Sequence, residues 1–126
     1  MNKQTHPTRT IEQKAVSFVE RYERKMGSKK LKDVSDKGCG YDLESRGRCI
    51  EIKGFRNIRY PSITLYKKLK EQLKGKRKRY YIYVVYDIER KPKLKIIGPS
   101  VIWENYEEEK RYILRGKHYR RIPDEN

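Results

Sequence analysis

The sequence predicts an α/β fold in which helices flank a mixed β-sheet. Three observations predict it: an apolar stripe with helical spacing near the N-terminus, two short alternating stretches joined at a glycine, and the nearly continuous apolar run from Tyr80 to Tyr86. Such a run is typical of a central strand that is covered on both faces. The helix predicted before this strand allows it to lie parallel to its predecessor, because parallel pairing requires a crossover connection.

The first helix is predicted to run from Ile11 to Met26. Thr10 is a suitable N-cap, Gln13 can complete a capping box, and Gly27 ends the helix. We expect the apolar stripe of this helix to face the core; it comprises Ile11, Ala15, Phe18, Val19, Tyr22 and Met26.

Residues 41–53 predict an antiparallel hairpin that turns at Arg46-Gly47. Two alternating stretches, Tyr41 to Ser45 and Arg48 to Lys53, flank that glycine. Pairing about the turn sets a register in which Ser45 lies opposite Arg48, Leu43 opposite Ile50 and Asp42 opposite Glu51.

One face of this hairpin should be apolar and the other charged, because side chains alternate across a strand. Opposed like charges are destabilising at cross-strand distances, so Asp42 and Glu51 favour a cation between them. Mg2+ suits this pair, since it prefers carboxylate and water oxygens and leaves room for a substrate phosphate. The expected apolar face comprises Tyr41, Leu43, Ile50 and Ile52, and the expected charged face comprises Asp42, Glu44, Glu51 and Lys53.

An ordinary half-buried hairpin with a solvated charged face would show the same alternation. The apolar residue inside Glu51-Ile52-Lys53, together with the register, favours a functional site. Lys53 points to the side of Glu51 and can reach a metal-bound water or a phosphate.

Asp42, followed by Glu51-Ile52-Lys53 on the next strand, resembles the PD-(D/E)XK nuclease superfamily. With Asp33-Val34-Ser35 and the Gly-Tyr-Asp context included, the pattern is similar to the restriction-endonuclease-like domain often attached to helicases. In plan it is also similar to archaeal Holliday-junction resolvases. Tyr41 replaces the proline of the superfamily name, at a position that varies widely. The resemblance extends from the first helix to about Pro99.

This resemblance implies an αβββαβ core and hydrolysis of DNA that depends on Mg2+ or Mn2+. Asp42 and Glu51 would hold the metal, and the main-chain carbonyl of Ile52 would be a third ligand. The metal would polarise the phosphate, and Lys53 would orient the attacking water or stabilise charge on the phosphoryl oxygens.

The superfamily often supplies a further acid from the first helix. Glu12 and Glu23 lie nearly in line along one edge of the apolar stripe, whereas Glu20 turns further toward solvent. Each of the first two matches an acidic position of the helicase-linked relatives, and each is also an ordinary solvated edge residue. We select Glu12 as the auxiliary acid of the metal site.

The charge of the chain predicts a polyanionic partner. Its 33 Lys and Arg residues against 17 Asp and Glu give a net charge of +16. Nucleic acid is the first candidate and an acidic membrane surface the second. A charge run can equally be a solvated face; the candidate DNA contacts are Arg56, Arg59, Lys67, Lys70, Lys74, Lys76, Arg77, Lys78 and Arg79.

A second helix is predicted after Pro61, capped by Ser62 or Thr64 and ended by Gly75. Its apolar seam would be Leu65, Leu69 and Leu73. Beyond the central strand, we expect an outer strand from Lys93 to Ile97, a short helix from Ser100 to Glu107, and a strand-like stretch from Arg111 to Ile122 that Gly116 interrupts.

The length predicts a single domain over residues 1–126, with a loose tail over 1–9 and a C-terminal extension over 100–126. No apolar run is long enough to span a bilayer and no signal peptide is apparent, so we expect a cytoplasmic, nucleoid-associated protein. Cys39 and Cys49 are predicted to be free thiols. His6 and His118 have no partner arrangement for a nucleophilic triad. Abundant Lys, Glu, Tyr and Ile with few Gln and Asn suit a thermophile.

Two kinds of partner and one alternative function accompany the nuclease prediction. A homodimer would allow both strands of a duplex to be cut, and a helicase or another DNA-processing protein would suit the resemblance. The alternative is a non-catalytic nucleic-acid-binding module, or a subunit of a DNA repair or restriction complex, that keeps the fold and its basic surface.

The charge makes a first prediction about binding. DNA affinity should fall steeply as salt rises, because each neutralised phosphate releases counterions. Replacing Lys76, Arg77, Lys78 and Arg79 together by Gln should lower the slope of log affinity against log salt by roughly 1 for each phosphate that these side chains neutralise. Fluorescence anisotropy over a salt series measures the slope. An affinity that does not change with salt would exclude the nucleic-acid interpretation.

Overall fold

The computed structural model of the protein describes residues 10–57, 62–65, 69–105, 107–108 and 112–126. The predicted N-terminal tail lies outside the described residues, and so do two candidate DNA contacts, Arg59 and Lys67.

In the described part of the chain, the helices are α1 (Ile11–Lys25), α2 (Leu69–Gln72) and α3 (Pro99–Asn105). The strands are β1 (Lys32–Asp33), β2 (Leu43–Ser45), β3 (Arg48–Gly54), β4 (Ile63–Leu65), β5 (Tyr80–Tyr86), β6 (Lys93–Ile97), β7 (Glu107–Glu108) and β8 (Tyr112–Leu114). Short 3-10 helices cover Arg77–Arg79 and Gly116–His118.

Five strands form the main sheet in the order β1-β2-β3-β5-β6. β3 and β5 run parallel, whereas the other neighbouring pairs are antiparallel. β5 lies between β3 and β6, and nearly all of its residues are buried, as expected of a central strand. The prediction of an α/β fold with a mixed sheet and flanking helices is confirmed.

α1 has the capping box predicted from the sequence. The main-chain N–H of Gln13 donates to the Thr10 hydroxyl (3.1 Å), and the Gln13 side chain accepts from the Thr10 N–H (2.9 Å). Ala15 and Val19 of the apolar stripe are fully buried. Met26 is an exception, since it is 49% exposed. It follows Lys25, the last residue of α1, so the helical spacing that buries the stripe does not apply to it.

The two faces of the main sheet carry separate hydrophobic clusters. On one face, Ala15 and Val19 of α1 pack against Leu43, Ile50 and Tyr83. The opposite face packs against α2, α3 and strands β4 and β8 through residues that include Leu69, Leu73, Ile102, Ile63 and Leu114. Both faces of the main sheet are therefore covered. A functional site on the sheet would have to lie in a cleft between the covering elements.

The hairpin has the predicted register for two of its three pairs, with Ser45 opposite Arg48 and Leu43 opposite Ile50. The third predicted pair, Asp42 opposite Glu51, is not part of the ladder, because β2 begins only at Leu43. Its turn places Arg46 at φ +51° and Gly47 at φ +75°. Two successive positive φ values suit the twist of a tight hairpin, and glycine adopts them without a steric penalty.

The expectation that Tyr41 shares a face with Leu43 is wrong. β2 begins only at Leu43, and the chain bends at Asp42, so the alternation does not extend back to Tyr41. Tyr41 instead belongs to the opposite cluster, together with Cys49 of β3.

A second sheet, with the order β4-β8-β7, was not predicted. Residues 63–65, which the sequence assigned to the start of the second helix, form β4 and pair with β8. The proposed caps Ser62 and Thr64 are therefore wrong, although Leu65, Leu69 and Leu73 are all buried as expected. Three-residue strands carry little periodicity of their own, and their pairing partner is distant in the chain.

The structure also decides the state of the cysteines, the end of the third helix and the surroundings of His118. Cys39 and Cys49 are free thiols. The predicted third helix ends at Asn105 rather than at Glu107, which belongs to β7. His118 is half-buried, and its Nδ1 accepts the main-chain N–H of Arg115. Among the residues that the structure describes, every helix is too short or too polar to cross a bilayer.

Glu23 joins α1, the hairpin turn and β5. Its side chain is fully buried, and Arg46 donates two hydrogen bonds to it, from Nε (2.8 Å) and from an Nη atom (2.7 Å). The hydroxyls of Tyr83 (2.6 Å) and Ser45 (2.8 Å) donate the others. Burial tends to raise the pKa of Glu23, but the hydrogen bonds from Arg46, Tyr83 and Ser45 outweigh it, so the pKa is lowered.

This network predicts a stabilising role for Glu23. Glu23→Gln should lower the free energy of unfolding by about 3 kcal/mol, because it leaves a cation without its partner and a buried network incomplete. Glu20→Gln, which removes the same charge from a partly exposed position of the same helix, should change it by less than about 0.5 kcal/mol. Urea unfolding of the two variants provides the comparison, and equal stabilities would contradict the structural role.

Candidate active site

The position of Asp42 depends on a hydrogen bond that departs from regular strand pairing. The main-chain N–H of Asp42 donates to the carbonyl of Ile50 (2.8 Å), and its Oδ2 accepts the main-chain N–H of Ile52 (2.7 Å). The Asp42 side chain thus accepts the Ile52 hydrogen bond that a main-chain carbonyl would accept if β2 and β3 stayed paired. The Asp42 carboxylate is thereby fixed at the edge of β3, at the point where β2 has ended.

Glu51 and Lys53 lie on the same face of β3, beside Asp42. The Lys53 Nζ is 3.2 Å from a carboxylate oxygen of Glu51, whose side chain is only 18% exposed. Burial, and then the negative charge of Asp42, raise the pKa of Glu51 to about 8, although Lys53 acts in the opposite sense. The predicted neighbours are therefore brought together, and the ordinary solvated face is excluded for Glu51.

A cleft of about 350 Å³ opens onto this pair of carboxylates. Gln72 of α2 forms its far wall, and its Nε2 donates to the carbonyl of Gly38 (2.6 Å). Its Oε1 is buried and accepts from no group among the described residues. Sequence reasoning missed Gln72, because a single polar residue between the buried Leu69 and Leu73 carries no signal of its own.

Gly40 closes the floor of this cleft. Its φ is +89°, a conformation that glycine adopts readily, and a Cβ there would lie 2.7 Å from Oε1 of Gln72. The backbone conformation therefore favours the glycine of the Gly-Tyr-Asp sequence, and a side chain there would also displace the end of Gln72.

The side chains around the cleft suit a hard divalent cation. Asp42 and Glu51 provide carboxylates, and the unpartnered Oε1 of Gln72 provides a further oxygen. The N–H and C=O of one residue point to the same side of a strand, so the carbonyl of Ile52 lies on the side of Asp42. In the described part of the chain, no three His, Cys, Asp or Glu side chains form a metal-binding cluster. Any metal here would depend on two carboxylates, neutral oxygens and water.

A family model described as Protein NO VEIN, C-terminal, matches residues 11–97. The chain belongs to this family. The matched range begins at the first residue of α1 and ends at the last residue of β6, and so contains the main sheet and the candidate site. The NO VEIN C-terminal family is associated with nuclease domains of the PD-(D/E)XK type. Neither curated proteins nor solved structures gave a match.

The first-helix acids occupy different places within this NO VEIN C-terminal domain. Glu12 is exposed and lines a depression of about 520 Å³ on the other side of Asp42, together with Glu20, Asp33 and Ser35. Glu20, expected to turn further toward solvent than Glu12 and Glu23, is half-buried and borders the same depression. It is more exposed than Glu23 but less exposed than Glu12. Glu12 is thus near Asp42, although it does not form a three-acid cluster with Asp42 and Glu51.

The predicted basic residues that the structure describes do not form one surface. Arg56 is exposed and pairs with Glu89 (2.9 Å). Lys76 and Arg79 line a cavity near the hairpin turn, whereas Arg77 stacks over the Trp103 ring with 4.5 Å between the guanidinium carbon and the ring centre. The 3-10 geometry of residues 77–79 turns successive side chains in different directions and divides the run.

The other described basic candidates are Lys78, Lys74 and Lys70. Lys78 borders a depression that also contains Trp103 and Pro99. Lys74 is exposed and Lys70 is half-buried. These residues stay candidates for DNA contact.

The raised pKa of Glu51 makes a prediction about stability. A carboxyl group whose pKa is raised on folding contributes most below its ordinary value of 4.5, and this contribution is lost as pH rises through about 8. Glu51→Gln should therefore be more stable than the parent chain at high pH, with a gain on the order of a few kcal/mol. Thermal unfolding between about pH 5 and about pH 9 measures the trend.

The matched control is Glu71→Gln, which changes an exposed carboxylate of α2. The pH trend of Glu51→Gln is measured as its difference from this control. If the gain from Glu51→Gln does not grow with pH, the burial of an ionisable Glu51 beside Asp42 is wrong.

Proposed function

We propose that this chain hydrolyses phosphodiester bonds of DNA in a reaction that depends on Mg2+ or Mn2+. The observation that carries the proposal is the half-buried Glu51 carboxyl group beside Asp42, with the Lys53 ammonium 3.2 Å away. The membership of a family associated with PD-(D/E)XK-type nuclease domains supports it.

The energetic cost of this arrangement argues for a bound cation. In the cleft, the Glu51 carboxyl group loses hydration and is repelled by the charge of Asp42, which is why its pKa is raised. A protein that only bound DNA would gain nothing from such a pair, because DNA is a polyanion. A divalent cation would remove the repulsion and attract phosphate to the same place.

Asp42 and Glu51 would hold the metal, with the main-chain carbonyl of Ile52 as a third ligand. When bound, the metal would polarise the phosphate and lower the pKa of its water. The hydrogen bond from Ile52 to Oδ2 of Asp42 orients that carboxylate toward the cleft. The buried Oε1 of Gln72 can accept a hydrogen bond from a water molecule on the opposite wall.

Lys53 would act on the charge that develops during the reaction. Its ammonium is partly exposed and can reach both Glu51 and a phosphate placed at the mouth of the cleft. A cation fixed at this place stabilises negative charge on the phosphoryl oxygens and orients the attacking water. Glu12, on the far side of Asp42, could contribute through water rather than as a direct ligand.

The net charge of +16 supports DNA as the substrate. The closer resemblance to helicase-attached domains and to Holliday-junction resolvases supports a structure-specific endonuclease. It also supports a homodimer or a helicase as a partner.

The alternative, a non-catalytic nucleic-acid-binding module or a subunit of a DNA repair or restriction complex, has one observation in its favour. The described residues contain no cluster of three metal-binding side chains. Activity measurements separate the two functions.

The site makes a prediction about cleavage. Asp42→Asn keeps an oxygen that can accept the Ile52 N–H, and Glu51→Gln keeps the side-chain shape, so both should fold. Each should reduce Mg2+-dependent cleavage by at least about 100-fold while DNA binding survives or tightens, because less negative charge faces the phosphates. Lys53→Ala should also abolish cleavage and leave metal binding largely intact. A panel of labelled duplex, flap and four-way-junction DNA provides the assay.

Asp36→Asn is the control, since it removes an exposed carboxylate from the loop before the hairpin. It should cleave like the parent chain. Cleavage that persists undiminished in Asp42→Asn would contradict the mechanism, and a freshly purified parent chain with no activity on any DNA structure would favour the binding module.

A further inference from the structure

A second cavity, of about 530 Å³, lies at the turn end of the β2–β3 hairpin. The loop after α1, the hairpin turn and the segment before β5 form its walls. Among its described lining residues, Glu44 is the one carboxylate, and the cations are Lys29, Lys30, Arg46, Arg48, Lys76 and Arg79.

Aromatic side chains hold one of these cations in place. The guanidinium carbon of Arg48 lies 4.2 Å from the centre of the Tyr81 ring, and its Nη1 donates to the Tyr83 hydroxyl (2.7 Å). A phenol is neutral near pH 7, so these contacts orient the guanidinium without neutralising it. Its charge stays available to an anion in the cavity.

Lys76 is held in the same way. Its Nζ is 3.2 Å from the Tyr41 hydroxyl, which donates to Glu44 (2.7 Å), and it also lies over the Tyr41 ring. Tyr41 in turn lines the cleft that contains Asp42. Lys76 therefore connects the cavity with the candidate active site.

Among the described residues, the carboxylates near the cavity are too few to balance its charge. Glu44 faces it, and Glu23 lies behind Arg46 in a bidentate pair. Lys29 and Lys30 are exposed and form no ion pair with the residues that the structure describes. An excess of positive charge inside a concave wall favours a bound anion.

The location identifies the kind of anion. Glu44 and Cys49, which line the cavity, are each two residues along the chain from Asp42 and Glu51. Two residues of a strand span about 7 Å. A polymer with repeated phosphates that crossed the cleft would thus place a neighbouring phosphate in the cavity.

We propose that this cavity binds a backbone phosphate of the nucleic acid that occupies the Asp42–Glu51 cleft. The proposal deepens and rests on the proposed function, to which it adds a phosphate site at the turn end of the hairpin. Its principal residues are the exposed Lys29 and Lys30 and the half-buried Arg48. Arg48 orients the phosphate through its planar guanidinium, and the two lysines contribute charge.

The test uses the double variant Lys29→Gln, Lys30→Gln and the single variant Arg48→Gln. The probe is a labelled DNA duplex in EDTA, so that no cleavage occurs. The double variant should weaken binding by at least about 5-fold at low salt and lower the slope of log affinity against log salt by about 1 to 2. Arg48→Gln should weaken binding by a similar factor. Thermal unfolding of each variant establishes that it is folded.

The matched control is Arg90→Gln, Lys91→Gln, which removes two exposed charges from the β5–β6 turn. This turn follows β5, whereas the cavity lies where β3 and β5 begin, so the control charges are at the other end of the parallel pair. The control should retain at least about half of the parent affinity.

Folded Lys29→Gln, Lys30→Gln and Arg48→Gln variants that bind like the control overturn the proposal, even if the parent chain cleaves DNA. An equal loss in the control also overturns it, because total charge rather than the cavity would then decide affinity. If both cavity variants lose binding while the parent chain shows no cleavage with Mg2+, the phosphate site stands and the nuclease function fails.

Discussion

The hydrogen bond from the main chain of Ile52 to the side chain of Asp42 is the interaction on which the candidate site depends. Regular pairing of β2 with β3 ends at Leu43 and Ile50, and the Asp42 carboxylate takes over the next hydrogen bond. The exchange satisfies a buried N–H and holds a negative charge at the edge of the sheet. It also removes Tyr41 from the face of Leu43, so that Tyr41 can close the cleft and support Lys76.

Two buried glutamates show how the environment decides the role of a carboxylate. Glu23 receives hydrogen bonds from Arg46, Tyr83 and Ser45, and its pKa is lowered although burial opposes this. Glu51 is buried beside another acid, and burial raises its pKa to about 8. The first carboxylate has its charge satisfied within the protein and stabilises the fold. The second holds its proton up to about pH 8 and would ionise readily only beside an added cation, which is the property of a functional group.

The surroundings of each basic side chain likewise decide whether its charge is neutralised within the protein. Arg46 and Arg56 are paired with Glu23 and Glu89 and contribute to internal balance. Arg48 and Lys76 are held by tyrosines, which orient their charge without neutralising it. A high tyrosine content in this chain therefore supports the cationic surface as well as the core. The local arrangement of cations, more than the net charge, indicates where an anion would bind.

The sequence by itself determined the features that depend on local chemistry. Periodicity and capping located α1, a tight turn with glycine set the hairpin register, and an apolar run identified β5 as the central strand. Glu51 and Lys53 could be placed on one face because alternation acts over a few residues, and the short hairpin keeps Asp42 close to them although regular pairing ends at Leu43. Tertiary structure decided the rest: the departure of Tyr41 from alternation, the pairing of β4 with β8, and the approach of Gln72 to the cleft. The cationic cavity joins three segments that are remote in the chain. These features arise from packing between distant elements, whose energies leave no periodic signature in the sequence.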